Sequence, residues 1–376
     1  GNQELESKST LLSFTESRSS QNTYPLEDDQ TSIDDYPLGI NVVRQPNEDL
    51  QWEESEQYNI GLDFSLLDFR LTGTIDYFTK VSDNILIEAA TQDPLSLVNE
   101  QWQNIPDMQI RNQGVELSLA YSSAATSDFQ WTVGGNISHI NNEVSNSPFA
   151  VFVSGSAQGS GQTGATINGY INGQPIGAFY TRTFTGIGED GLSAFADINN
   201  DGFITDADRS VTGSALPDVL YGFYANMSYK GFDFSVNFNG VSGNQIYNHN
   251  RMQYFSKNLL STSNNTTPFA VEFPEEDLAN PNTVSTRYLE DGSYLRLNNA
   301  SLGYTLLPGK LGWDNSTFNS IRLFVTGQNL FVITDYSGFD PEVNQGSSID
   351  GVESFGIDRR TYPSARTFLV GINAKF

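Results

Sequence analysis

Segments in which apolar and polar side chains strictly alternate recur along almost the whole chain. Tyr58, Ile60, Leu62 and Phe64 interleave with Asn59, Gly61, Asp63 and Ser65, and Leu71, Gly73, Ile75 and Tyr77 with Thr72, Thr74 and Asp76. Val115, Leu117, Leu119 and Tyr121 repeat the pattern, as do Phe129, Trp131, Val133 and Ile137. Tyr221 to Tyr229 leads through Lys230-Gly231 into Phe232, Phe234, Val236 and Phe238, and the chain ends on Phe368, Val370, Ile372, Ala374 and Phe376. A period of two is the signature of β-strands with one apolar and one wet face. Two architectures use such strands. In a soluble sandwich the apolar faces meet; in a transmembrane barrel they face lipid and the polar faces line a lumen.

Connection lengths separate the two. About ten strands are expected, at roughly 3–14, 51–66, 70–88, 109–122, 128–143, 219–230, 232–247, 293–306, 318–333 and 364–376. Short turns alternate with long connections at 15–50, 89–108, 144–218, 248–292 and 334–363. Structureless insertions of that length are unusual in a compact soluble domain, whereas alternating tight turns and long outer loops are the habit of membrane barrels. Aromatics gather at strand ends (Trp52, Tyr77, Phe78, Tyr121, Phe129, Trp131, Tyr229, Phe232), where the two membrane interfaces would lie. The expected fold is therefore all-β, a transmembrane antiparallel β-barrel. A terminal Phe376 would sit at one membrane edge.

Composition closes other routes. With no cysteine there is no disulfide scaffold, and 19 Lys+Arg against 45 Asp+Glu cannot form a basic stripe for nucleic acid. The 25 Phe and 17 Tyr argue against a disordered acidic chain. No apolar run is long enough for a membrane-spanning helix, and no signal peptide is expected in the stretch opening Gly1-Asn2-Gln3-Glu4.

One motif carries metal chemistry. Asp197-Ile198-Asn199-Asn200-Asp201-Gly202-Phe203-Ile204-Thr205-Asp206-Ala207-Asp208 has the spacing of a twelve-residue calcium loop. Side-chain oxygens of Asp197, Asn199, Asp201 and Asp208, the Phe203 carbonyl, and Thr205 directly or through water would surround a structural Ca2+, with Gly202 at the bend. Asp208 stands where a bidentate Glu is usual, and the competing reading is an acidic Asx-turn held by its own side chains. Other matches carry nothing. Gly186-Ile187-Gly188-Glu189-Asp190-Gly191 resembles a dinucleotide fingerprint by letter but lacks a following helix. Ser154–Gly161 is a flexible run without the strand-to-helix context of a nucleophile elbow. His139 and His249 are too far apart in sequence to suggest a zinc site or triad. Neighbouring acids such as Glu275-Glu276 and Asp34-Asp35 follow from acid abundance alone. No catalytic residue and no organic cofactor are expected.

Several strings together resemble one family, the SusC/RagA-type TonB-dependent outer-membrane transporters of Bacteroidetes. They are Trp52-Glu53 running into Gln57–Phe64, Arg111-Asn112-Gln113-Gly114-Val115-Glu116-Leu117, Gly173-Gln174-Pro175-Ile176-Gly177, and Asp197–Gly202. Pro217-Asp218 before Tyr221-Gly222-Phe223, Tyr294-Leu295-Arg296-Leu297 before Ser301-Leu302-Gly303-Tyr304, Gly327-Gln328-Asn329-Leu330-Phe331 and Gly338-Phe339-Asp340-Pro341-Glu342 complete the set. The resemblance spans residues 1–376. It implies the C-terminal part of a barrel of about 22 strands, with signal, TonB box, plug and earlier strands outside this chain. It further implies outer-membrane import of oligosaccharides or peptides, a SusD-like surface lipoprotein as lid, and energy from TonB acting through the N-terminal remainder of the barrel and plug. Outer-membrane lipid and lipopolysaccharide would surround it. Two other readings stay open: a self-contained ten-stranded barrel enzyme resembling outer-membrane proteases, and a soluble calcium-dependent β-sandwich binding module.

Neutral nutrients are held by stacking and amide hydrogen bonds, so the candidate substrate contacts are loop aromatics and amides. These are Tyr170, Phe179, Tyr180, Tyr247, Asn248, Asn250, Tyr254, Tyr336 and Phe339. Packing within their own loops is the competing role for each.

Overall fold

The computed structural model describes residues 13–17, 39–44, 47–90, 100–157, 165–262, 268–307, 319–343 and 352–375. Nine strands form one antiparallel sheet: β1 (Glu54–Leu66), β2 (Leu71–Asp83), β3 (Gln109–Ser122), β4 (Phe129–Ser145), β5 (Val219–Tyr229), β6 (Phe232–Ser242), β7 (Tyr294–Leu306), β8 (Ser320–Thr334) and β9 (Thr367–Lys375). Each pairs only with its sequence neighbours, so the sheet is an uninterrupted meander. Of the first expected strand, 3–14, only the end is described; Ser13–Ser17 pairs with Gly39–Arg44 in a separate ribbon. Phe376 lies outside the described residues.

Register turns the alternation of single strands into continuous stripes. One apolar row runs Leu62–Ile75–Leu117–Ile137–Tyr221. Another runs Phe129–Tyr229–Phe232–Tyr304–Leu323–Ile372. On the opposite face lie Asp63–Thr74–Ser118–Asn136 and Ser122–Thr132–Asn226–Ser235–Ser301–Thr326. Even in central strands the apolar row is uncovered: Ile137 is 47%, Phe223 43% and Val325 42% exposed. A sandwich would have buried these side chains against a second sheet. The soluble-module reading fails on this point. The register is pinned by the tight turn between β5 and β6, where Lys230 (φ 48) and Gly231 (φ 90) take the left-handed conformations of a two-residue hairpin.

The long connections are not structureless, as the sequence reading took them to be. Residues 144–218 carry a four-stranded sheet in which Arg209–Ser214, Ala178–Arg182, Thr166–Tyr170 and Phe152–Ser156 lie side by side. Two expected strands are also shorter than their alternation suggested. At Asn84 (φ 56) the chain leaves the wall and forms a ribbon of Ile85–Ala90 with Glu100–Ile105. After Ser242, Gly243 (φ 93) breaks β6, and Gln245–Tyr247 pairs with Leu289–Asp291. These folded connections form a cap, and the apolar cores of the described residues sit in it and at the adjoining end of β4. One cluster gathers Ile167, Phe179, Tyr247, Met252, Tyr288 and Ile357; the other gathers Ile85, Ile87, Ile105, Met108, Val144, Tyr170 and Val352.

A buried ion pair within the fourth long connection is joined to the third through Asn280 and the Phe184 ring. Arg287 Nη1 and Nη2 donate to Glu276 Oε1 and Oε2 at 2.6 and 2.8 Å, and the guanidinium lies over Phe184 and Phe273 at 5.4 and 4.9 Å. Asn280 donates to Glu276 and to Ser193 Oγ, while its own Oδ1 accepts from Ser193 N. Burial by itself would raise the Glu276 carboxyl, but the hydrogen bonds from Arg287 and Asn280 and the charges of Arg287 and Lys257 bring it below the ordinary glutamate value.

Two measurements test this architecture. Phe223 and Asn226 lie on opposite faces of β5, and Phe223 is near the middle of the strand, paired with Phe238 and Gly135. In hydrocarbon, Phe223→Lys should cost about 2–4 kcal/mol and abolish the heat-modifiable barrel band on gels, while Asn226→Lys leaves it intact. In the cap, the depressed Glu276 pKa means its ion pair stabilises fully above the ordinary value of 4.5 and is lost as pH falls through the lower folded value. Proteolysis around 271–288 should therefore accelerate on acidification, and Glu276→Gln should flatten that response. Arg287→Ala, which strands a buried carboxylate, should loosen the cap by roughly 3–5 kcal/mol at neutral pH.

Candidate functional site

Where the fourth and fifth long connections meet, the cap holds a cavity of about 180 Å3. Its floor is set by backbone. Tyr247 N donates to Gly356 O at 2.8 Å and Asp358 N to Tyr247 O at 3.0 Å, which brings 356–358 alongside Gln245–Tyr247. Gly356 (φ 64) is required there: a Cβ would stand 2.6 Å from Ala215 Cβ and 3.1 Å from Phe179 Cζ. One wall is the start of a short helix, α1 (His249–Tyr254), whose N-cap is Asn248, with Oδ1 accepting from Arg251 N at 2.9 Å. Ser337, Gly338 and Phe339 form the facing wall, and Phe255 and Phe269 complete the aromatic lining.

Asp358 is the electrostatic centre. Its side chain is fully buried; Oδ1 accepts from Asn250 Nδ2 at 2.9 Å and Thr361 N at 3.2 Å, and Oδ2 from Tyr336 Oη at 2.6 Å. No Lys or Arg of the described residues forms an ion pair with it. Burial first, and then the neighbouring Asp358 charge, drive the Tyr336 phenol far above its ordinary value, so it remains a donor. A second carboxylate, Glu290, accepts from Asn248 Nδ2 (3.1 Å), Ser337 N (2.8 Å) and Ser337 Oγ (2.9 Å), and faces Arg251 at 3.4 Å. Arg251 also pairs with Glu272 and lies 4.6 Å over Phe269.

Of the nine candidate contacts, Asn248, Asn250 and Phe339 line this one cavity, and Tyr336 reaches it through Asp358. Phe339 stands 66% exposed at the rim. The remaining five lie elsewhere. Phe179 and Tyr247 are wholly buried with ring centroids 6.5 Å apart, and Tyr170 sits in the second core cluster, so these three are packing residues in this arrangement. The Arg209 guanidinium covers Tyr180 at 4.8 Å, and Arg360 Nε donates to Tyr254 Oη at 2.6 Å. Sequence reasoning missed Phe255, Phe269, Ser337 and Asp358. Asp358 is one of 45 acids, and only its burial marks it.

The 197–208 loop is a chain of Asx turns. Asp197 Oδ2 accepts from Gly202 N at 2.9 Å, Asn199 Oδ1 from Asp201 N at 3.0 Å, and Asp201 Oδ1 from Phe203 N at 2.8 Å. Asp208 is fully buried, with Oδ1 accepting from Ile198 N and Oδ2 from Thr205 N. These backbone donors, Thr205 foremost, hold its carboxyl below the ordinary value. Asn200 (φ 58) and Gly202 (φ 82) supply the bends. The donor order suits calcium. Among the described residues no three acidic or histidine side chains gather as a metal-holding group. Gly186–Gly191 forms part of the hairpin Phe184–Ile187/Ser193–Phe195, with no phosphate-binding helix.

Comparison with known proteins places the wall and cap together. The family model described as TonB dependent receptor-like, beta-barrel, matches residues 13–330. TonB-dependent receptor P3 of Formosa agariphila is 32% identical over 362 residues, covering 90% of this chain and 36% of its own length. TonB-dependent receptor SusC of Bacteroides thetaiotaomicron is 29% identical over 346 residues, covering 88% of this chain and 32% of its own. The chain thus spans about a third of the length of these curated relatives. The solved RagAB peptide transporter superposes with a TM-score of 0.75 over 97% of this chain and 38% of its own, at 22% identity, and shows the same fold. The nine-stranded meander, with lipid-facing rows on one side and a folded cap at one end, belongs to the TonB-dependent receptor-like β-barrel family of the bacterial outer membrane.

Proposed function

We propose that this chain forms wall and outer cap of an energised nutrient importer rather than an enzyme. The observation that carries this reading is the two-faced sheet: apolar rows toward lipid and polar rows toward a water-accessible interior, in a chain of TonB-dependent receptor type. Oligosaccharides or peptides are the proposed cargo classes, and the RagAB peptide transporter, whose fold this chain shares, supports the second. A SusD-like lipoprotein would close over the cap, and TonB would act through the plug and the N-terminal barrel strands. Uptake of labelled oligosaccharides and peptides by cells carrying the full-length transporter checks this. Saturable uptake that stops on dissipating the proton gradient, and is absent with Phe223→Lys, is the expected result; accumulation identical in cells without the transporter would sink it.

For the 197–208 loop we propose weak structural Ca2+ binding. Its support is the calcium order of the oxygen donors and the bond from Gly202 N to Asp197 across the bend. Affinity on the order of 10⁻⁴–10⁻³ M, as in extracellular modules, is expected. Millimolar Ca2+ should slow proteolytic cleavage at Ile198–Phe203, and Asp201→Ala should remove the protection. Cleavage indifferent to Ca2+ and EDTA would leave an Asx-turn loop held by its own hydrogen bonds.

A further inference from the structure

We propose that the cap cavity beside Asp358 is a subsite for a single organic cation, a primary ammonium or guanidinium group carried by the transported molecule; this rests on the import reading above. Three observations converge on that chemistry. A fully buried carboxylate borders the cavity with no Lys or Arg of the described residues paired to it. A carboxylate offers about four lone-pair sites, and the hydrogen bonds from Asn250, Thr361 and Tyr336 take three, leaving one acceptor on Oδ2. Phe255 and Phe339 supply aromatic walls, while Phe269 is already covered by the Arg251 guanidinium, and ring faces attract cations most where water is excluded.

A neutral polyol fits less well. Asn248 and Asn250 already spend their amides on Arg251 N, Glu290, Ser337, Asp358 and Arg360 N, and Ser337 Oγ donates to Glu290. Few donors remain for sugar hydroxyls. A cavity of about 180 Å3 admits one side chain or one small ring, so the site selects a single group within a longer cargo. A formal charge of −26 draws cations toward the chain before any contact is made.

The experiment uses the full-length transporter in detergent and two labelled probes. One is an N-acetylated, C-amidated tripeptide with a central lysine; the other carries norleucine, its uncharged near-isostere, at that position. The lysine peptide should bind about tenfold tighter or more. Phe339→Ala, at the exposed rim, and Asp358→Asn should each erase that preference, bringing the two peptides to equal affinity. Because Asp358 also holds Asn250, Tyr336 and Thr361, Phe339→Ala decides the outcome if Asp358→Asn fails to fold. Equal affinity for the two peptides, or a preference that survives both substitutions, overturns the assignment. Cellular uptake separates the two layers: peptide import without a lysine preference overturns the cation subsite alone, and a lysine preference without import overturns the import reading alone.

Discussion

Hydrocarbon supplies no hydrogen-bond partner, so a strand inside a membrane must have every backbone N–H and C=O answered by a neighbouring strand. The meander of nine strands meets that demand along β2 to β8, where each strand is paired on both sides. Everything else about the wall follows. With the backbone satisfied laterally, side chains are free to specialise by face, and register decides which face each one serves. That is why Leu62, Ile75, Leu117 and Ile137 stand in one row although they come from four strands. The outer edges of β1 and β9 carry unpaired backbone among the described residues, and closure in lipid requires strands outside these nine.

A wall with lipid on one side and a lumen on the other has no apolar core beneath it. The packing that would fill a soluble domain has moved to the cap instead. Phe179, Tyr247, Met252 and Ile357 are wholly buried, and they come from three different long connections. Polar contacts add to this: Asn280, beside the Glu276–Arg287 pair, bonds Ser193 of another connection, and Arg296 on β7 pairs with Asp340 and Glu342. This arrangement explains how connections far longer than a turn can be ordered enough to present a defined cavity.

The cap cavity draws its character from that packing. Asp358 is held by the backbone of Tyr247 and by Asn250 and Tyr336, so it cannot swing out to meet solvent cations. A fixed, desolvated negative charge between aromatic rings interacts more strongly with a cation than an exposed carboxylate would. Glu290, by contrast, already faces Arg251, which leaves it a structural member of the wall.

Much of the wall was readable from residue order. Period-two alternation placed all nine described wall strands to within a few residues at most ends, and the short and long connections identified a barrel, because both signals arise locally from side-chain direction and turn length. Where it overran, at 84–88 and 243–247, the cause was a single left-handed residue, Asn84 or Gly243, that alternation cannot register. The cap and its cavity lay beyond such reading. Burial of Phe179, Tyr247 and Tyr336, and the meeting of Asn248, Asn250 and Phe339 with Asp358, depend on contacts between residues as much as 110 or more positions apart. Strand faces are set by neighbours in sequence; which loop aromatic becomes core, and which acid becomes a site, is settled only when distant connections pack against one another.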